Sequence, residues 1–306
     1  MFIEKRKNSN LLCEKIKWKK ISIKTLTDNL KSVSFEDIKN LSLKELNYWK
    51  NTDSFKNFEK NFYNKQLLEK VTFKGILYSK LLNFPNLQEW KEIINFFNEF
   101  YQYFIYESNK TEWSRIPFSE VKKLFEIWQS NYKNKNEIQE VINSQKAWNY
   151  LLNDFTFTKQ KIKKLYHILT KNLLQETGDK YPRWFRKVNV IVWNSNVLDF
   201  QLIEKTLDKL LQQYKQQIKT DFPLKVAFDF YLEFEKIHPF ENWNWRIWRL
   251  LLNKILIQNK FFPMIIFSEN KQAHFSAISS TKYNKKKYYK FMLQQYEKTL
   301  NKINYE

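Results

Sequence analysis

A histidine, an asparagine and two arginines lie close together just before an apolar helix in this chain. They are His238, Asn244, Arg246 and Arg249. An imidazole near its ordinary pKa is largely neutral at physiological pH and can take a proton from an attacking hydroxyl. The two guanidinium groups suit phosphate oxygens, and backbone amides at the start of a helix favour an anion. The spacing therefore predicts a loop that holds a phosphate chain and activates a hydroxyl group.

The segment from His238 to Leu251 resembles the signature of the Fic-domain family, His-Pro-Phe-x-Asp/Glu-Gly-Asn-Gly-Arg-x-Gly-Arg-Leu-Leu. Tryptophan stands at the three glycine positions 243, 245 and 248, and Asn242 stands at the acidic position. Residues 184–193 resemble the family's β-hairpin, and residues 108–113 resemble its inhibitory Ser/Thr-x-x-x-Glu-Gly/Asn motif. The residues that match the signature in place are His238, Pro239, Phe240, Asn244, Arg246, Arg249, Leu250 and Leu251.

Glycine is scarce in this chain and tryptophan is abundant. The sequence has 2 glycines and 11 tryptophans, although about 21 glycines are usual for a chain of this length. We hypothesise that UGA codons meaning glycine were translated as tryptophan, and UGG codons in the native gene would rule this out. The alternative is that these are ordinary tryptophans of an aromatic-rich core. Six tryptophans lie at glycine positions of the Fic motifs: Trp113, Trp184, Trp193, Trp243, Trp245 and Trp248.

The resemblance implies a mainly α fold, a Fic-type helical bundle with a short β-hairpin flap. Val188 to Val192 is the clearest strand, because it is β-branched and alternating. We expect an N-terminal helical region over residues 1–100 and a Fic domain with its preceding inhibitory helix over residues 101–306. Apolar residues at three- and four-residue spacing predict helices over residues 41–49, 87–105, 118–128, 160–174, 202–218, 226–237, 246–258 and 286–300.

The resemblance implies that the chain is a protein adenylyltransferase. His238 would activate a Ser, Thr or Tyr hydroxyl of a target protein, or of the chain itself, for attack on the α-phosphate of ATP. Arg246 would hold the inner phosphates and Arg249 the γ-phosphate. The flap would align a target segment by strand addition. The residues assigned to ATP are Asn242, Trp243, Asn244, Trp245, Arg246 and Arg249 in the loop, with Val190, Ile191, Val192 and Trp193 in the flap.

The resemblance also assigns a metal ligand and an inhibitory contact. Family members hold Mg²⁺ with an acidic residue where this chain has Asn242, whose amide oxygen carries no charge and should bind the metal more weakly. Ser108 and Glu112 are four residues apart and so share one helical face. Glu112 would pair with Arg249 in the same chain and keep the γ-phosphate from seating. The alternative is an ordinary solvated glutamate.

The tryptophans in the loop decide between an enzyme and a binding protein. Backbone must approach phosphate closely there, so indoles at positions 243 and 245 should block the nucleotide. At position 248 an indole should overpack the helix by about 1–3 kcal/mol. A chain with genuine tryptophans would be a catalytically inactive Fic-fold interaction module. A further alternative is an enzyme that removes AMP or transfers another phosphate-containing group.

The overall composition restricts the remaining classes of function and the location of the protein. Lysine and arginine number 53 against 32 acidic residues, which gives a net charge of +21. That surplus is typical of nucleic-acid binding, but the lysines are spread along the chain and no binding motif accompanies them. Cys13 is the only cysteine, so the chain cannot form an internal disulfide. The sequence shows no signal peptide and no membrane-spanning run, so we expect a cytoplasmic protein. A homodimer remains open.

Overall fold

Residues 2–6, 9–16, 19–26, 33–82, 91–192 and 195–302 are described by a computed structural model of the chain. Within these residues the fold is mainly α-helical, which confirms the predicted fold class. The helices are α1 (Phe35–Lys50), α2 (Asp53–Glu59), α3 (Lys65–Leu81), α4 (Lys91–Thr111), α5 (Phe118–Glu126), α6 (Lys135–Asn153), α7 (Lys159–Thr170), α8 (Ile203–Thr220), α9 (Pro223–Ile237), α10 (Asn244–Gln258), α11 (Lys271–Ser279) and α12 (Lys286–Asn301).

Side-chain caps fix where several of these helices begin. Ser34 forms a capping box with Asp37 at the start of α1. Asn134 accepts from the amides of residues 136 and 137 at the start of α6, and Thr158 accepts from that of Lys161 at the start of α7. Each cap satisfies amides that have no partner inside the helix. The site described below therefore rests on helices with well-defined starts.

The N-terminal segment differs from the helical region expected over residues 1–100. Strands β1 (Phe2–Arg6), β2 (Ser9–Ile16) and β3 (Lys19–Leu26) form an antiparallel sheet in the order β1-β2-β3. The reason is visible in β3, where Ile21, Ile23 and Thr25 alternate with polar residues. That period of two favours a strand. The first helix among the described residues is α1, which begins at Phe35.

The centre of the helical part is the pair α9 and α10. The two helices pack along each other, and α10 also contacts α4, α6 and α7. Every residue of α10 from 244 to 256 is buried, including the charged ones. A helix that is covered on all faces can hold its polar side chains only if partners meet them inside the protein. Those partners define the site.

The predicted hairpin is present and short. Strand β4 (Ile191–Val192) pairs antiparallel with β5 (Ser195–Asn196). The strand predicted from Val188 therefore begins only at Ile191. Before it, the side chain of Asn189 binds Asp199 and the amide of Phe200. Trp193 lies outside the described residues.

No helix in the described ranges is long and apolar enough to span a bilayer.

Candidate active site

The loop that carries the candidate histidine begins where α9 ends. His238 adopts a left-handed backbone conformation with φ 47°, and its amide donates to the carbonyl of Phe234 at 3.1 Å. This conformation terminates the helix and turns the chain toward α10. Phe240 anchors the turn, because it is fully buried and stacks on Tyr166 with ring centroids 4.1 Å apart.

A buried arginine joins this loop to the base of the flap. The Nε of Arg186 donates to the carbonyl of His238 at 2.8 Å, and its Nη1 donates to that of Val188 at 2.7 Å. Nη2 donates to the carbonyl of Leu198, and the backbone amide of Arg186 donates to that of Pro239. One planar cation thus satisfies carbonyls on both sides of the hairpin and at the histidine itself.

Asn244 braces the loop from within. Its Oδ1 accepts from the amide of Phe240 at 3.0 Å and its Nδ2 donates to the carbonyl of the same residue at 2.7 Å. The side chain is 1% exposed, so both of its polar atoms are committed to the loop backbone. Its contribution to an anion site is therefore to shape the turn, and the amides that follow it would contact the anion.

The imidazole of His238 is neutral over the physiological pH range. Burial, and secondarily the charge of Arg186, lower the pKa of His238 to about 3. The sequence suggested an ordinary pKa, and this differs because the ring is 5% exposed. A neutral ring can accept a proton, and its Nδ1 is buried without a partner among the described protein atoms. A negatively charged ligand beside the ring would raise the pKa of His238.

The second arginine of α10 is bound by the end of α4. Arg249 donates from Nε to the hydroxyl of Ser108 at 3.0 Å and from Nη2 to the Ser108 carbonyl at 3.0 Å. The same Nη2 lies 2.9 Å from Oε1 of Glu112. Helix α4 ends at Thr111, so Glu112 is the first residue beyond it and not on the helical face itself. The two residues with the inhibitory spacing nevertheless meet one guanidinium group.

The first arginine of α10 is bound by a residue that the sequence did not single out. Nη2 of Arg246 lies 2.9 Å from Oε2 of Glu140 on α6, and the guanidinium group stacks 3.9 Å from the ring centre of Trp243. Glu140 belongs to a helix of ordinary amphipathic pattern, and no local signal marks it. The contact joins residues that are 106 positions apart.

The segment that leads into α11 holds the end of α4 in place. Lys271 donates to the carbonyl of Thr111, and its ammonium group lies 3.9 Å from the ring centre of Trp113. Oε2 of Glu107 accepts from the amide of Ser268 at 2.8 Å. These contacts position the turn that carries the candidate inhibitory glutamate.

The loop tryptophans fill the space around the histidine. Trp243 has a left-handed backbone with φ 70°, a conformation that favours glycine. Trp248 is 1% exposed and packs edge-on against His238, while Trp245 packs against both Trp248 and His274. At position 248, where overpacking was expected, the indole packs within a cluster of aromatic rings.

The other tryptophans at motif glycine positions are more exposed. Trp113 has φ 71° and is 79% exposed, which also suits glycine. Trp184 is 52% exposed and does not have a positive φ. The backbone therefore favours glycine at positions 113 and 243, and gives no such indication at position 184.

Several polar atoms around the loop are buried without a protein partner. They include Nε of Arg246, Nη1 of Arg249 and Nε1 of Trp248. Each is an N–H donor, and an unpaired buried donor costs free energy. Donors on both arginines that point to no protein acceptor suit an anion with several oxygens, so the residues present fit a phosphate chain.

The same residues fit a metal less well. The described part of the chain holds no cluster of three side chains able to ligate a metal. Asn242 is exposed and offers an uncharged amide oxygen. A divalent ion would need most of its ligands from phosphate and water.

A cavity of about 410 Å³ lies beside the flap. Val192 of β4, Leu198, and Phe275 and Ile278 of α11 form its apolar walls, with Glu235 of α9 among its polar lining. Burial raises the pKa of Glu235 well above its usual range, which favours the neutral form of this carboxyl. His274 is fully buried and contacts the hydroxyl of Tyr231.

Comparison with known proteins identifies the domain. Residues 156–256 match the model of the Fic/DOC family. No curated protein matches the chain. Among solved structures, a Fic-domain-containing signalling protein from Bacteroides thetaiotaomicron is similar with a TM-score of 0.66 and 14% identity, covering 78% of this chain and 95% of its own.

Two further solved structures have the same fold. A Fic family protein from Desulfovibrio desulfuricans has a TM-score of 0.64 at 16% identity, with 77% of this chain and 73% of that chain covered. Residues 134–508 of Fic-1 from C. elegans give 0.59 at 14% identity, with 88% and 97% covered. Residues 156–256 therefore match the Fic/DOC family, and the similar solved structures show that the chain shares their fold.

Proposed function

We propose that the chain transfers AMP from ATP to a Ser, Thr or Tyr hydroxyl of a target protein, in a form that has glycine at positions 243, 245 and 248. The observation that carries the proposal is the binding of Arg249 by Ser108 and Glu112 across 137 residues or more of sequence. Arginine binds carboxylates and phosphates through the same nitrogen atoms. A carboxylate that occupies Arg249 would therefore compete with the phosphate of a nucleotide, which supports a nucleotide site that the chain itself inhibits.

The chemistry follows from the position of His238. The target hydroxyl would give its proton to a ring nitrogen of His238 as its oxygen attacks the α-phosphorus. A new P–O bond forms to the target, the bond to the β-phosphate oxygen breaks, and pyrophosphate leaves. Arg246 and Arg249 would offset the charge of the leaving pyrophosphate. If Mg²⁺ takes part, Asn242 would contribute an amide oxygen, and the phosphates would contribute most of the charge.

The base and the target would bind on either side of the flap. The cavity beside Val192 and Phe275 has the apolar walls and the size that suit a planar base. Ile191 is 72% exposed on the short strand β4, where an extended target segment could add by backbone hydrogen bonds. Recognition through backbone atoms would leave side-chain selectivity weak, so the target is not specified by these residues.

A catalytically inactive binding module is the second candidate, and the aromatic cluster favours it. With indoles at positions 245 and 248 packed against each other and against His238 and His274, the chain as printed has rings where phosphates would pass. This candidate predicts a stable protein that binds partners and does not transfer nucleotide.

Transfer of label from α-³²P-ATP to protein separates the two candidates. The variant W243G/W245G/W248G should label itself or proteins of a lysate, E112Q in that background should label more strongly, and H238A should abolish labelling. The matched control is E126Q, which removes an exposed carboxylate on α5. Absence of labelling in the glycine variant, with and without E112Q, would refute the enzyme and support the binding module.

A further inference from the structure

Both arginines of the candidate phosphate loop are bound by carboxylates from other helices. Arg249 meets Glu112 at the end of α4, as described above. Arg246 meets Glu140 of α6, with Nη2 and Oε2 2.9 Å apart. The side chain of Arg246 is 6% exposed and that of Glu140 is 21% exposed, so the second pair is largely shielded from solvent. Salt therefore screens it less than a surface pair.

Helix α6 presents Glu140 rigidly. One turn earlier, Oε2 of Glu137 accepts from the hydroxyl of Ser114 and from the amides of Arg115 and Ile116, each at 2.7 Å. One turn later, Asn143 donates to two backbone carbonyls at the end of α7. The helix is thus tied both to the segment after the inhibitory turn and to α7. The backbone that carries Glu140 is therefore held beside Arg246, and only the side chain can turn away.

The charge of Glu140 depends on Arg246. Burial raises the pKa of the Glu140 carboxyl, the charge of Arg246 opposes that rise, and the neighbouring carboxylates of Glu137 and Glu112 add to it. When another anion takes Arg246, the carboxylate loses the partner that keeps it ionised. It can then accept a proton or turn toward its 21% exposed side.

The pair is also incomplete as a structural ion pair. Glu140 contacts Nη2 of Arg246 alone, while Nε of the same guanidinium group is buried without a partner. Structural arginine–carboxylate pairs are commonly bidentate. A phosphate group could bind Nε and Nη2 together, which gives it an advantage over the carboxylate that now holds one of them.

We propose that Glu140 is a second internal competitor for phosphate, which occupies Arg246 as Glu112 occupies Arg249. A triphosphate must then displace two carboxylates, one from α4 and one from α6, before both arginines are available. The proposal rests on the proposed nucleotide function of the same loop. It adds a residue, and a helix, to those that control access to the loop.

Binding of inorganic tripolyphosphate without divalent ions tests the proposal, because it isolates the phosphate subsite from base binding and catalysis. Titration calorimetry would be run on the chain as printed and on W243G/W245G/W248G. E140Q should bind about fivefold more tightly than its parent, the equivalent of about 1 kcal/mol for a partly exposed pair. E140A should show a similar gain in affinity, because it removes the carboxylate without adding the side-chain amide of E140Q. E126Q, which removes an exposed charge elsewhere, should change the affinity little.

A double-mutant cycle shows whether Glu140 acts through Arg246. In the E112Q background, where no carboxylate pairs with Arg249, R246Q and R246Q/E140Q should have equal affinities. A gain from E140Q that persists without Arg246 would mean general charge repulsion and overturn the proposal. Tripolyphosphate binding that E140Q and E140A leave unchanged would overturn it while the proposed function stands. Absence of binding in every variant would overturn both.

Discussion

Trp128 tests whether the structure can distinguish a misread glycine from a genuine tryptophan. Helix α5 has its C-cap at Ile127, and Trp128 follows with a left-handed backbone of φ 57°. That is the position after the C-cap where helices commonly have glycine. The side chain is 57% exposed. Trp128 was not among the six motif positions, so the backbone adds a seventh candidate by a separate criterion.

The comparison of W128G with W128A isolates the backbone contribution. Both variants remove the indole and lose the same packing, but only W128A keeps a Cβ in the left-handed region. That Cβ costs about 1–2 kcal/mol, while glycine costs about 0.5–1 kcal/mol in chain entropy. We therefore expect W128G to be more stable than W128A by about 0.5–1 kcal/mol. At Trp184, where φ is not positive, the order should reverse.

Urea unfolding followed by circular dichroism would measure the difference as a shift of the midpoint at constant slope. The W184G and W184A pair is the control, since it has a similar exposure and ordinary backbone geometry. If W128A is as stable as W128G, the left-handed backbone imposes no cost there. The argument from positive φ to misread glycine would then fail at positions 113 and 243 as well.

Three more predictions concern the gene, the core and the inhibitory turn. Peptide masses from the native organism should show glycine at 128 and at 243, and tryptophan masses at both would refute the recoding hypothesis. Burial lowers the pKa of His274 to about 3, below its unfolded value, so its contribution to stability is present above about pH 6.5 and lost as pH falls. H274Q should therefore reduce the pH slope of the unfolding free energy between about pH 6 and 4 by about 1.4 kcal/mol per pH unit, and an unchanged slope would contradict the burial argument. K271Q removes the donor to Thr111 and should raise labelling in the W243G/W245G/W248G background, with K215Q on the exposed surface of α8 as control; equal labelling would mean that Lys271 does not hold the turn.

Helices α9 and α10 could be predicted from sequence because their signals are local, whereas α6 was not among the predicted helices. Apolar spacing and the proline at the start of α9 mark its course, and the motif at 238–251 marks where α10 follows. The N-terminal strands were not predicted, because the helical region expected over residues 1–100 rests on the patterns over residues 41–49 and 87–105, whereas residues 19–26 alternate. Local reading could have found β3 from its alternation.

The contacts that control the arginines were only partly predictable. The resemblance implied that Glu112 meets Arg249, and the structure has the two 2.9 Å apart. Glu140 could not be foreseen, because any glutamate on the polar side of α6 looks alike in sequence, and the packing of α6 on α10 selects this one. The low pKa of His238 was missed for the same reason, since burial is a property of the whole fold.

Arg186 has a consequence for how a target would be aligned. Its guanidinium group binds carbonyls at the start of the flap, at the return from it and at His238. These bonds tie the hairpin to the histidine and fix the offset between them. If the chain acts as proposed, a segment that adds to the hairpin edge would be held at that offset, so the attacked hydroxyl would be selected by its distance along the target backbone. Such a site would accept many target sequences but only one spacing between the paired segment and the modified hydroxyl.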